Sequence, residues 1–502
     1  MIRDSQALKF SRRIAFGLDH GQIPPRPLEW AQAQVGKVPP IDILNEVGKP
    51  NRNLPADIKL LSRIPEVMTA YRNSWNAVDQ MFAQDPNMPQ AQRRAMGRRL
   101  LFFPYRELEH WKELQARLST AFFSDQPVFE RFWHFWSNHF MVAPNTDNND
   151  TTVGPYQRAL RDHLTGSFRD LLWNAVTHPS MLIYLDNYRS VGPNSAARKQ
   201  GHTKDSINEN LGRELLELFT LSPAGGYTQA DVEQVTLILT GWTFAMPNSN
   251  QAKPLFPSQN APAFMHGTVF AQGRHEPGPQ KVLGKVYAAS VFRPKSKLED
   301  LVTDLAQHPA TARHLAQKLC VYFIDDDPDP QAVALVEQAF INSKGDLPTV
   351  HKAVLQAAWD GIERKRKFQN PEAWLIQVLR LLEVPLPQNA PELEPSNQPT
   401  TSSIMQDLGQ PLPFSPQPNG WPIFSDEWIS KELLDRRLRA LQFFIQKSPL
   451  VQGEGITRLQ SKVVAHLGAE SKALKAIDHE IRSGSPKKAA LMWLASPDML
   501  WS

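Results

Sequence analysis

Phe129, Trp133, Trp136 and Phe140 follow one another at spacings of four, three and four residues. Read as a helix over 127–140, they share one face. Glu130, His134 and Asn138 form a polar stripe beside them at i, i+4 and i+8. An aromatic stripe at this spacing is the signature of a core helix. The two imidazoles and the amide added to it can also turn such a helix into the wall of a pocket. Pro127 suits the first helical turn, where its missing N–H is no loss.

Helical periodicity continues along the 502 residues and strand signals are nearly absent, so the expected class is mainly α. The expected architecture is a multi-helix globular fold with long, ordered Pro/Gly-rich loops and few or no strands. Helical stretches fall at about 41–68, at 90–118 (with Arg93, Arg94, Arg98 and Arg99) and at 156–176. Residues 207–221 carry a seam of Leu211, Leu215 and Leu218, and Gly225-Gly226 can supply a left-handed cap. Thr228 with Asp231 three residues on reads as a capping box opening a helix over 228–242 with Val232, Val235, Leu239 and Trp242 inward. The two form an antiparallel helical hairpin. Further helices are expected at 298–308, 309–323, 330–342, 348–359 and 371–382, and His178-Pro179 and His308-Pro309 each open one. The domain reading is one large helical unit over 1–440. It carries an irregular insertion at about 246–287, with at most one or two short strands, and a Pro-rich connection at about 385–422. A helical tail over 441–502 packs on it.

The composition narrows the function classes. A net charge of +4 without long runs of one sign gives no footing for a nucleic-acid partner. No apolar window reaches the length of a membrane span. Cys320 is the single cysteine, which excludes an intrachain disulfide and a multi-thiolate zinc site; its helical neighbours Ala316 and Leu319 mark it as a small core residue. Ser11-Arg12-Arg13 looks like a twin-arginine export signal, but the polar Gly17-Leu18-Asp19-His20-Gly21 follows in place of a hydrophobic region, so the segment reads as the start of the folded domain. As written, the chain fits the cytoplasm; a removed signal would place it in the periplasm or outside the cell.

Asn208-Glu209-Asn210-Leu211-Gly212-Arg213-Glu214-Leu215, Gly226-Tyr227-Thr228-Gln229-Ala230-Asp231, Leu239-Thr240-Gly241-Trp242 and Asn138-His139-Phe140 together resemble segments of the bacterial proteins grouped as domain of unknown function 1800. His275-Glu276-Pro277-Gly278 with Leu283-Gly284, His308-Pro309 and Pro418-Asn419-Gly420-Trp421-Pro422 belong to the same set. The resemblance runs from about residue 8 to about 440. It implies a mainly helical fold, frequent export after folding with a cofactor or metal loaded beforehand, and a sulfatase-like partner of another uncharacterised family. Ser137 stands where many relatives have histidine, and Glu276 where many have aspartate.

The candidate site is drawn from three segments. His139, His275 and Glu214 are the expected catalytic groups. His139, Glu209, Glu214, His275 and Glu276 are the expected ligands of a divalent metal such as Mn, Fe, Cu or Zn. Trp136, Asn138, Asn208 and Trp242 are the expected pocket walls, suited to a glycan or another cyclic small molecule. No His-Glu-x-x-His, Gly-x-Ser-x-Gly or phosphate-loop motif is present. The reading is an enzyme with a His/carboxylate site in an aromatic-walled cleft; the alternative is a non-catalytic binding or scaffold protein of the cell envelope.

Overall fold

Prolines at helix starts organise much of this molecule, a computed structural model that describes residues 2–17, 24–40, 103–144, 153–244, 268–290, 292–364, 366–386, 399–467 and 472–502, with isolated positions between 80 and 92. The helix expected over 41–68, the arginines at 93–99, the loop at 145–150 and large parts of the 246–287 and 385–422 segments lie outside the described residues. Pro127, Pro179, Pro309, Pro330, Pro371 and Pro486 all stand in the first turn of a helix. There the ring fixes φ and removes only a donor that the helix could not have used. In the two His-Pro doublets the imidazole itself is the cap. Nδ1 of His178 accepts the Ser180 amide at 3.2 Å, and Nδ1 of His308 accepts that of Ala310 at 3.1 Å.

The fold is mainly helical, with two small antiparallel two-stranded sheets among the described residues. The helices Ser296–Ala306, Pro309–Phe323, Pro330–Asn342, Leu347–Asp360 and Pro371–Leu382 stand within two residues of their expected bounds, and Cys320 is buried in the second. In the helical hairpin, Asn210–Glu217 packs on Gln229–Leu239. Gly212 sits at the crossing, where a Cβ would come within 2.6 Å of Thr236 Oγ1. The Thr228/Asp231 capping box is formed in both directions.

The second helix of the hairpin ends at Leu239, not at Trp242 as its apolar face led us to expect. Thr240 turns its hydroxyl back to Leu237 O, and Gly241 takes φ +81°, which breaks the helix. Trp242–Phe244 (β1) then pairs with Thr268–Phe270 (β2), and Gln280–Val282 (β3) with Lys285–Tyr287 (β4). The described part of the stretch 246–287 thus holds three strands rather than at most one or two. Leu283 and Gly284 both have positive φ in the β3–β4 turn, the backbone of a tight hairpin. Asp231 accepts the Leu283 amide at 2.7 Å and so fastens this turn to the helix start.

Two hydrophobic cores divide the interior. The first holds the aromatic helix, the hairpin and the helices up to Ile362. The second joins Trp374, Leu375 and Leu379 to the C-terminal helices and to Phe16, Leu114 and Leu118. The aromatic helix Pro127–His139 is buried around nearly its whole circumference. Trp136 packs on Phe168, Phe140 just past the helix end packs on Phe219, and Phe132 packs on Phe323.

Candidate active site

In the polar stripe of the aromatic helix, Glu130 and His134 are as buried as the apolar face and Asn138 is part-buried, so each calls for a partner from elsewhere in the chain. Glu130 receives a two-pronged bond from Arg161, at 2.5 and 3.0 Å. The Asn138 amide brackets the Trp421 backbone, donating to its carbonyl at 2.9 Å and accepting its N–H at 2.7 Å. Gly420 is required there: it has φ +80°, and a Cβ would meet Asn138 O at 2.3 Å.

His134, between these two, faces Glu372 from the opposite core, its Nδ1 3.3 Å from Oε2. The Pro371–Leu382 helix starts at an Asn370 cap, which places Glu372 in its first turn. Arg117 Nε and Nη2 hold the same carboxylate at 2.6 and 3.0 Å. These groups line a narrow cleft with a cavity volume of about 20 Å³, together with Ser137, Tyr322 and Trp421. Both His134 nitrogens, Ser137 Oγ, Arg117 Nη1 and Trp421 Nε1 are buried there without a hydrogen-bond partner. Nearby, Arg131 lies 4.8 Å over the Tyr322 ring with Nε and Nη1 likewise unpartnered. Burial, reinforced by Arg117 and Arg131, drives the His134 pKa well below its usual value, so the ring is neutral at pH 7. Burial pushes the Tyr322 hydroxyl up.

His139 stands in a different setting. Its Nε2 is 3.3 Å from Phe219 O and its Nδ1 3.0 Å from Lys318 Nζ, while His314 Nε2 is 3.3 Å from Leu218 O. The two imidazoles thus reach the carbonyls at the end of the Asn210–Glu217 helix, where donors are favoured. Burial, then Lys318 and His314, holds the His139 pKa well below normal, and burial brings Lys318 to about 8. Trp136 is fully buried and donates to His351 Nε2 at 2.9 Å.

The other expected groups occupy three further settings. Glu209 pairs with Arg213 at 3.0 Å and accepts from Gln229, half-exposed on the hairpin surface. Asn208 accepts the Asn210 amide at 2.9 Å as a local turn bond. Glu214, half-buried, has its pKa raised by burial and by Glu217. His275 Nδ1 contacts Thr240 O at 2.8 Å, and burial with the Lys297 charge lowers its pKa to about 4. Both Glu276 oxygens go to Asn194, from its backbone N–H at 2.9 Å and its side-chain amide at 2.7 Å. Trp242 is buried edge-on against Trp173. His275 and Glu276 stay together with Thr240; among the described residues no hydrogen bond, ion pair or ring contact joins them to His139 or Glu214. Among the described residues no three His, Cys, Asp or Glu side chains gather closely enough to hold a metal ion.

The family described as "Protein of unknown function (DUF1800)" matches residues 30–501. The chain belongs to this family. The match reaches through the C-terminal helices, so the second core belongs to the family unit. Within this DUF1800 chain the shared segments hold one another in pairs. Asn138 grips Gly420-Trp421, and Thr240-Gly241 receives His275-Glu276: Thr240 Oγ1 accepts the Glu276 amide at 2.8 Å, and a Cβ on Gly241 would meet Ala271 O at 2.7 Å. No curated protein and no solved structure matches the chain. His134 was visible in the sequence as a member of the polar stripe. Arg117 and Glu372 were not singled out, because each sits in an ordinary helical pattern far from the other in the chain.

Proposed function

We propose that the protein is an enzyme that performs acid–base chemistry on a carbohydrate or another cyclic polar substrate in the cleft between its two cores. The observation that carries this reading is His134, a buried imidazole whose Nε2 has no hydrogen-bond partner and whose Nδ1 lies 3.3 Å from the Glu372 carboxylate, on a cleft walled by Trp421 and Tyr322. With the proton on Nδ1 directed at Glu372, Nε2 is left as the base that takes a proton from a substrate hydroxyl. Arg117 fixes Glu372 and offers its unpartnered Nη1 to the oxygen on which negative charge develops. A neutral resting imidazole suits that role, since a protonated one could not accept.

The test is a panel of chromogenic glycosides, carboxylic esters and phosphate esters assayed with the wild type and with His134→Gln. Turnover of one class, reduced about 10²–10⁴-fold in the variant at an unchanged melting temperature, is the expected result. Equal turnover by both proteins, or none of any class, overturns it. A second reading, a non-catalytic binding or scaffold protein of the cell envelope working with a sulfatase-like partner, draws support from one observation. His139, Glu209 and Glu276 are each engaged in structural bonds within the fold. Substrate binding without turnover would favour it.

A further inference from the structure

Phe16, whose ring packs on His134 at 5.2 Å, also lines a second, small cavity of about 40 Å³. Three helices build it: Ile2–Ile14 contributes Arg12, Pro371–Leu382 contributes Gln377 and Arg380, and Gly455–Leu467 contributes Lys462 and His466. Among the described residues, three cations line this space and no carboxylate does. Glu383 reaches Lys462 at 2.9 Å and also holds Arg458, and Asp498 is the carboxylate whose charge bears on Arg12. His466 adds no charge: burial keeps its pKa well below normal, and Arg12 Nη1 lies 2.9 Å from its Nε2.

The unmet bonding in this cavity is specific. Gln377 is 1% exposed, yet both its amide oxygen and its amide nitrogen lack a partner. Arg12 is 4% exposed and its Nε lacks one too. A buried guanidinium and an amide left this way are costly unless something fills the space. The filling group must accept from Arg12 Nε, Gln377 Nε2 and the Lys462 ammonium, carry negative charge, and also donate to Gln377 Oε1. Hydrogen phosphate, or a phosphomonoester carrying a hydroxyl, meets all of these; sulfate meets all but the last.

We infer that this cavity is a phosphate-binding site, taking inorganic phosphate or a small phosphomonoester. The site stands on its own residues and does not depend on the chemistry assigned to His134.

Titration calorimetry of the full chain at pH 7 and matched ionic strength, with inorganic phosphate, glycerol phosphate and sulfate, tests it. The expected result is saturable, one-to-one binding of phosphate or the ester, with sulfate about tenfold weaker or more. Gln377→Leu and Lys462→Gln should each weaken phosphate about tenfold or more, the loss expected for one charged hydrogen bond. His134→Gln should bind phosphate as the wild type does, which separates this result from the fate of the cleft. Lys462 stands at the cavity edge, so its variant serves if Gln377→Leu fails to fold by circular dichroism. No saturable binding, or wild-type affinity in the Lys462 variant, overturns the inference.

Discussion

Two histidine–carboxylate pairs in this molecule end in opposite states. His275 and Glu276 are neighbours in the chain, yet the extended backbone at His275 (φ −75°, ψ 141°) sends successive side chains apart. His275 turns to Thr240 and Glu276 to Asn194, so both oxygens of the carboxylate are spent on one asparagine. His134 and Glu372 are far apart in the chain and meet only where the two cores close on each other. That pair keeps unpartnered polar atoms around a cleft. Adjacency in sequence produced a strut; assembly across the fold produced the group of atoms with bonding capacity to spare.

The largest expected difference between the pairs is in activity. His134→Gln should lower turnover about 10²–10⁴-fold, while His275→Gln leaves it within a few-fold, measured on whichever substrate class the wild type accepts. A comparable loss in both would erase the contrast. Stability should separate the pairs next. Glu372→Ala strands the buried Arg117 guanidinium and should cost roughly 3–5 kcal/mol in urea unfolding. Glu276→Gln keeps the shape and loses charged hydrogen bonds, for about 1–3 kcal/mol. Reversed rank would mean that the Glu276 strut, not the cleft, carries the more strained electrostatics.

The helical hairpin gives the smallest effects. Thr228→Ala removes a formed capping box and should cost about 1 kcal/mol. Glu209→Ala breaks a half-exposed pair and should change the unfolding free energy by about 0.5 kcal/mol or less. A large loss at Glu209 would show that the surface of this hairpin does more than face solvent.

Much of the fold was legible because it rests on local rules. The aromatic helix, the Thr228 capping box, the His-Pro caps and the Pro371 helix each declare themselves within a few residues. The strands around Trp242 and Gln280 did not, since three residues are too few to show an alternation. The end of the second hairpin helix was hidden because Trp242 continues its apolar spacing, and only the turn at Gly241 reveals the break. In the cleft, the stripe Glu130, His134 and Asn138 was readable as polar, but a stripe alone does not say whether it faces water or a second core. The three partners that decide this, Arg161, Glu372 and Trp421, come from three different segments. The arginines Arg12 and Arg13, which look like an export signal in sequence, are buried in the fold, with Arg13 donating to Ser502 O at 2.6 Å.

The central claim is that His134 works as a neutral base beside Glu372, and the pH dependence of kcat/KM tests it most directly. That profile reports the essential groups of the free enzyme. Burial with the charges of Arg117 and Arg131 lowers the His134 pKa from 6.5, so the base stays unprotonated, and activity stays high, as pH falls through 6.5. The acid limb should therefore lie below 6.5 and disappear from the residual rate of His134→Gln. An acid limb at or above 6.5, or one that persists unchanged in the variant, would contradict the account.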